Sequence, residues 1–369
     1  MDQPHADAAA AVRRFPCAQC GAKLDFQPGT QVLKCPYCAH ENPIASDDGA
    51  VEEHDYEAEL RDLLEQADVR EHTLLRCDAC AAQVEPPPNV TSLPCPFCGS
   101  NLVASPPRRQ IKPHAVLPFA IDRARADELF RTWIRSLWFA PNKLRRYARE
   151  EQRLQGVYTP YWTFDCRALS RYTGQRGDDY WVTQTYTTMV NGRPQAQTRQ
   201  VRRTRWTPVG GQVQNTFDDI LVIAGESLPL KYAERLEPWD LDKLAPYRDE
   251  YLSGFGAQSY SVELPAGFST AKEKMKPDIE ATIRGDIGGD HQQIDSVQSR
   301  YMDISFKHLL LPVWISAYGY RGRVFRFLIN ARTGEVQGER PYSAAKIAGL
   351  VGLILVGLGA AIWFFQRAT

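Results

Sequence analysis

The spacing of apolar residues divides the chain into segments of different period. After Asp122, Leu129, Phe130, Trp133, Ile134, Leu137 and Trp138 recur at i, i+1, i+4 and i+5. That pattern predicts an amphipathic helix capped by Asp122 and ended by Pro141. From Val157 the pattern changes to aromatic and β-branched runs at 158–172, 180–190, 196–206 and 213–223. These read as strands, with Asn191-Gly192 as a hairpin turn between two of them. A helical stretch follows near 270–284, where Pro277 is expected to kink or restart it, and strands return over 304–336. Pro160-Tyr161-Trp162 and Pro312-Val313-Trp314 each precede a Tyr-x-Gly, a faint sign of internal duplication.

The flanks behave differently. Tyr56, Leu60, Leu63, Leu64 and Ala67 recur at helical spacing inside the acidic segment 47–71, predicting a short amphipathic helix with a solvated charged face. The last segment, 347–365, is nineteen residues without a charge. At 1.5 Å per residue it would cover about 28 Å, one hydrocarbon core, so a transmembrane helix is expected there. Lys346 and Arg367 bracket it, and Trp363 stands where an interfacial anchor belongs.

Eight of nine cysteines form two repeats with metal-site spacing: Cys17-x2-Cys20 with Cys35-x2-Cys38, and Cys77-x2-Cys80 with Cys95-x2-Cys98. Both repeats have fourteen residues between their pairs, and the second lies sixty positions after the first at all four cysteines. A CxxC turn presents two sulfurs on one knuckle, and a hairpin of this length returns the second knuckle to the first. Pro28-Gly29 and Pro88-Asn89 sit where that hairpin must turn. Gly21 and Gly99 follow their knuckles, where positive φ turns backbone N–H groups towards the sulfurs; Ala39 and Ala81 hold the equivalent places. The reading is two four-cysteine zinc ribbons, hence two structural Zn²⁺ per chain with no open position for catalysis. A dithiol oxidoreductase would need one pair on a thioredoxin-like helix start, and no βαβ pattern surrounds these. Cys166 reads as a packing thiol.

Composition adds little until it is divided by region. The 369 residues carry 44 basic and 44 acidic side chains, with 43% hydrophobic residues, which excludes wholesale disorder. Residues 1–114 hold 10 Lys+Arg and 17 Asp+Glu, so the remainder holds 34 and 27, giving about −7 and +7. Acidic ribbons are a poor match for phosphates, which makes nucleic acid an unfavoured partner for them. The basic residues include Arg199, Arg202, Arg203 and Arg205 on a strand, which read either as a solvated face or as attraction to an anionic lipid surface. The N-terminus lacks the apolar run of a signal peptide. The resulting expectation is a single-pass, tail-anchored protein of the cell (inner) membrane with its N-terminal bulk cytoplasmic.

Catalytic signatures are scarce. There is no GxxxxGK[ST] loop, no HExxH helix and no GxSxG elbow, and the seven histidines are scattered. The Gly285–His291 string, with Asp286 and Asp290, reads as a turn, and a non-enzyme is expected.

The double cysteine set, together with Val157-Tyr158-Thr159-Pro160-Tyr161-Trp162-Thr163-Phe164-Asp165, Leu236-Glu237-Pro238-Trp239-Asp240-Leu241 and Leu311-Pro312-Val313-Trp314-Ile315-Ser316, resembles a bacterial family of two-ribbon, single-span proteins. Arg203-Thr204-Arg205-Trp206-Thr207-Pro208 and the run from Gly334 to Pro341 extend the resemblance. Its members are labelled transcription-factor-IIB-type zinc-ribbon proteins or, despite the missing phosphate loop, replication-factor-Y-like helicases. The resemblance implies a membrane-bound adaptor working with flotillin-like and phage-shock-protein-A-like proteins in envelope stress. The expected fold class is therefore α+β: zinc ribbon 13–44, acidic helical connector 45–74, zinc ribbon 75–105, α+β domain 115–342 and transmembrane helix 347–365. The expected function is a membrane-anchored adaptor or scaffold, the alternative a membrane-tethered nucleic-acid-binding regulator.

Overall fold

The computed structural model describes residues 15–45, 49, 51–65, 72–77, 82–84, 95, 102–108, 111–141, 154–190, 193–228, 230–320, 323–340 and 342–368. Near the N-terminus, β1 (Asp25–Phe26), β2 (Val32–Lys34) and β3 (Glu41–Pro43) form a three-stranded antiparallel sheet. Next come β4 (His54–Asp55) and α1 (Tyr56–Glu65). A second small sheet follows, from β5 (His72–Cys77), β6 (Gln83–Val84) and β7 (Leu102–Arg108), in the order β6-β5-β7.

After β8 (Ala115–Val116), α2 (Arg123–Ser136) begins where Asp122 Oδ1 accepts the N–H of Arg125 at 2.7 Å, capping the first turn. Its buried residues are Ala126, Phe130 and Ile134, the inner face of the apolar stripe. Two very long strands follow, β9 (Gln155–Val190) and β10 (Arg193–Ile223), paired in register from Val190↔Arg193 to Tyr161↔Ile223. Then come β11 (Ala245–Pro246), β12 (Gly256–Ala257), α3 (Leu264–Ile287), β13 (His291–Tyr320), β14 (Arg323–Asn330), β15 (Val336–Gly338) and α4 (Ala344–Ala368). Among the described residues the main sheet has nine strands, with the path β10-β9-β13-β14-β15; β4 and β8 add to β13 along the same edge as β14.

Four strands expected over 158–223 are thus two. Gly174, Gly177, Pro208 and Gly210 resemble strand breaks but lie inside the paired region, where Gly174 faces Val209 and Pro208 faces Gln175. A Cβ on Gly174 would lie 2.4 Å from the Gln293 carbonyl oxygen, so the glycine marks close backbone approach instead of a turn. Pro208 is tolerated because β10 is an edge strand. The Asn191-Gly192 turn lies outside the described residues. The two Pro-x-Trp motifs fall on the adjacent central strands, where Pro160 faces Leu310 and Pro312 faces Tyr158.

The buried residues of α3 are Leu264, Gly267, Phe268, Ala271, Met275, Ile279, Ile283 and Ile287, an i, i+3, i+4 stripe laid across the sheet. Burying its seven apolar side chains other than Gly267 contributes roughly 10–15 kcal/mol of transfer free energy. Pro277 lies inside this helix without ending it. Both small sheets join larger cores. Cys17, Leu24, Phe26 and Leu33 pack with Phe119, Phe130 and Tyr158, while Leu75, Cys77, Val84 and Cys95 pack with Val157, Tyr161 and Leu309.

Two expectations fail. The chain is mostly one large antiparallel β-sheet with few helices, where a mixed α+β domain with antiparallel strands and a C-terminal transmembrane helix was expected. Among the described residues no helix is long and apolar enough to cross a membrane. At the start of α4, Lys346 Nζ donates to the carbonyl oxygens of Trp138 and Ala140 at 3.0 and 2.8 Å, tying the helix to the segment that follows α2. The single-pass inner-membrane placement with a cytoplasmic bulk rested on that span and falls with it.

Candidate metal centre

Cys17 and Cys20 lie on the turn before β1, and Cys35 and Cys38 on the turn after β2, so the β1–β2 hairpin carries one knuckle back to the other. One sulfur of each knuckle, on Cys17 and Cys35, is buried against the main core, and the other faces outward. Cys17 Sγ lies 3.6 Å from Cys38 Sγ, and Cys20 Sγ lies 3.5 Å from Cys35 Sγ. All four fall within 4.8 Å of one another. Sulfurs at about 2.3 Å from a central Zn²⁺ would stand about 3.8 Å apart, so the donor set and its spread fit a tetrahedral ion.

The backbone is folded for the same purpose. Gly21 has φ 72 and Ala39 has φ 57, and their N–H groups donate to the Cys17 and Cys35 carbonyl oxygens at 2.9 and 3.0 Å. Gln19 N–H donates to Cys17 Sγ at 3.4 Å and Cys38 N–H to Cys35 Sγ at 3.5 Å. An alanine in the left-handed region costs about 1–2 kcal/mol. Ala39 accepts that strain at the place where the first knuckle has glycine, so the knuckle shape overrides local preference. Gly29, with φ 78, makes the hairpin turn, and its N–H donates to the Phe119 carbonyl oxygen at 2.8 Å.

The thiols differ electrostatically. Burial alone would raise the Cys17 pKa, but the N–H groups of Cys20 and Gln19 and the neighbouring thiols outweigh it and bring it down to about 6. Cys35 is lowered chiefly by its hydrogen bond from the Cys38 N–H. The Cys38 thiol receives the His40 N–H, which lowers its pKa, yet burial and the other three thiols carry it up to about 12. Four thiolates cannot coexist here without a cation.

Of the other predicted ligands, Cys77 and Cys95 are buried together in the core of the second small sheet. Cys80 and Cys98 lie outside the described residues, as do Gly99, Ala81 and Pro88-Asn89. Cys166 is buried beside Met275, with 3.6 Å between the sulfurs, as a packing thiol would be.

Two clusters were invisible in the sequence. Lys307, on β13 and 8% exposed, has its Nζ 2.8 Å from Asp219, 3.2 Å from Glu53 and 3.7 Å from Asp165. Paired bulges flank Asp165: β10 shifts between Phe217 and Ile220, and β13 between Met302 and Ser305. Asp219 and Asp303 both adopt φ 50 there, and the Asp219 N–H donates to Asp165 at 2.5 Å. Burial, then the shared hydrogen bond with Glu53, pushes Asp165 up to about 7, while that bond and Ser305 take Glu53 down to about 2. Glu53, Asp165 and Asp218 bring carboxylate oxygens within 4.8 Å of one another, with the Lys307 ammonium supplying positive charge beside them.

The second cluster is of histidines. His54 and His114 stack at 3.7 Å, the His308 N–H donates to His114 Nδ1 at 3.1 Å, and His308 Nδ1 lies 2.9 Å from the Ile111 carbonyl oxygen. Burial lowers His114 to about 3 and His308 to about 4, so both are neutral. Asp286 is engaged by the Tyr172 hydroxyl at 2.6 Å and Asp290 by the Asp179 N–H at 2.8 Å, at separate places on the sheet, so the Gly285–His291 string assembles no carboxylate pair.

No family model matches the chain, and no solved structure matches it. Among curated proteins, it is 26% identical over 262 residues to "Uncharacterized protein YdjG" of Bacillus subtilis (strain 168). That alignment covers 68% of this chain and 70% of the relative. A likeness at that identity transfers no activity.

Proposed function

We propose that this protein is a non-enzymatic adaptor whose two four-cysteine sites hold structural Zn²⁺ and fix the ribbons onto a large β-scaffold. The observation that carries the reading is the Cys17, Cys20, Cys35 and Cys38 cluster, with its inner sulfurs in the main core. A closed set of four sulfurs leaves no coordination position for substrate, so the ion would serve folding and not chemistry. The parallel spacing of Cys77, Cys80, Cys95 and Cys98, with Cys77 and Cys95 buried in the adjoining core, supports a second such ion. The resemblance set out above makes flotillin-like or phage-shock-protein-A-like proteins the partners to seek first.

Metal analysis of the purified full chain should find two zinc ions, and Cys20→Ser should reduce the content to one. Capture of partners with the tagged full chain should be lost together with the metal. Zinc content near zero in the wild type, or undiminished capture by Cys20→Ser protein that has lost its ion, would count against the reading.

A further inference from the structure

The last pairing between β13 and β9 is His291↔Gly177, whereas β9 and β10 remain paired as far as Val190↔Arg193. Beyond the sheet they form a two-stranded arm. From Tyr180↔Arg203 to Met189↔Pro194 it is ten residue pairs long, about 33 Å. With the pairs at its base included, the paired segments 178–190 and 193–205 contain five arginines and two aspartates, Asp178 and Asp179. Nearly all the described side chains of the arm are exposed or half-exposed, so they form no core.

The register sorts them by face. Arg199 and Arg203 share one face with Tyr180, Tyr186 and Gln184, through the pairs Arg203↔Tyr180, Gln197↔Tyr186 and Arg199↔Gln184, and Arg205 continues that face at the base of the arm, opposite Asp178. Arg199 is already oriented: its guanidinium donates to Gln184 Oε1 at 3.2 and 2.9 Å and stands 5.4 Å from the Tyr186 ring centre. Among the described residues neither Arg203 nor Arg205 forms a salt bridge: Asp178, opposite Arg205, is engaged instead by Arg176 at 3.0 Å. On the reverse face Arg202 is engaged by Asp179 at 3.2 Å, beside Trp181 and Trp206.

We infer that the cationic face of this arm binds double-stranded DNA, with the β-ribbon lying in the major groove. The inference rests on reading the chain as a binding protein and supplies a partner for a surface the ribbons do not form. A major groove about 12 Å wide admits a two-stranded ribbon, and the arm matches one helical turn of about 34 Å. Guanidinium groups suit phosphate oxygens and guanine edges, and glutamine amides suit adenine. A bilayer is the poorer match. The most apolar exposed side chains, Trp181, Met189 and Trp206, point opposite to Arg199, Arg203 and Arg205, which share their face, among aromatic residues, with the amphipathic Tyr180 and Tyr186 alone.

The test is fluorescence anisotropy of the full, zinc-loaded chain with a fluorescein-labelled 20-base-pair mixed-sequence duplex, alongside sedimentation with phosphatidylglycerol/phosphatidylcholine vesicles. With three to four phosphate contacts, affinity should fall about a hundredfold between 50 and 200 mM KCl. The variant R199Q/R203Q/R205Q should bind about a hundredfold more weakly at 0.1 M salt. R202Q should stay within about twofold of wild type, because its charge is already met by Asp179. Absence of duplex binding at 50 mM, equal binding by the triple variant, equal loss in R202Q, or vesicle binding without duplex binding would each overturn the inference. The arm is remote from the cysteines, so all variants should keep their zinc. A chain that binds duplex but captures no protein partner would refute the adaptor alone.

Discussion

Replacing Lys307 by methionine tests whether its ammonium is the cation that seats the connector carrying Glu53 on the main sheet. Lys307 Nζ is within 3.7 Å of three carboxylates, of which Glu53 belongs to the connector, Asp165 to β9 and Asp219 to the β10 bulge. At an effective dielectric of about 20, unit charges at such separations attract by about 5 kcal/mol each, and several kcal/mol per ion are returned as desolvation. Removing one partner of a buried ionic set costs about 3–5 kcal/mol. Glu53 is 43% exposed, which screens its share, so about 3 kcal/mol is expected at pH 8. The pH dependence supplies the sharper check. Asp165 holds its proton to about pH 7, against 3.8 in the unfolded chain. Its protonation therefore contributes stability in full below about pH 4, and that stability is lost as pH rises through 7. Without Lys307 the Asp219 N–H alone still favours the Asp165 carboxylate, so the folded pKa rises further and the variant recovers stability in acid. Urea denaturation at pH 5 and pH 8 should give a penalty at least about 1 kcal/mol smaller at pH 5, the value of one proton over one pH unit. A loss below about 1 kcal/mol at pH 8, or an equal loss at both pH values, would refute the reasoning.

The histidine cluster has the opposite sign. His114 and His308 stay neutral when folded but protonate near 6.5 when unfolded, so each lends stability that is present above 6.5 and lost as pH falls towards 4. Replacing His114 with Asn should flatten the fall of the unfolding free energy from urea titration between pH 6.5 and 4.5 by up to about 1.4 kcal/mol per pH unit, and an unchanged slope would contradict the assignment. Gly267→Ala should destabilise by about 1–2 kcal/mol although alanine favours helix. The added Cβ would lie 2.7 Å from Trp162 Cδ1, on a fully buried ring fixed by the bond from its Nε1 to the Val262 carbonyl oxygen. A raised urea midpoint would contradict the packing argument.

Local chemistry was legible in the sequence wherever spacing alone forces it. CxxC pairs fourteen residues apart determine that four sulfurs can meet, because a tight turn fixes two at once and a short hairpin the rest. Asp122 and the apolar stripe determined α2, since capping and a 3.6-residue period act within a few turns. The sequence misdirected where one residue type serves two purposes. The breaks between the runs expected at 158–172, 180–190, 196–206 and 213–223 hold Gly174, Gly177 and Gly210, yet these glycines lie inside long paired strands and permit their close approach. The apolar segment at 347–365 read as a span from its lack of charge, whereas among the described residues no helix is long and apolar enough to cross a membrane.

Tertiary structure alone decided what meets across great sequence distance. Glu53, Asp165, Asp219 and Lys307 converge because β4 adds to β13 and paired bulges turn the strands at one level. His54, His114 and His308 look scattered until β4, β8 and β13 lie side by side. Whether Arg199, Arg203 and Arg205 line a covered sheet face or a free arm depends on where β13 stops pairing, at Gly177. Strand partnership is set by the packing of the whole sheet, and the alternation of side chains along one strand is the same with or without a neighbour.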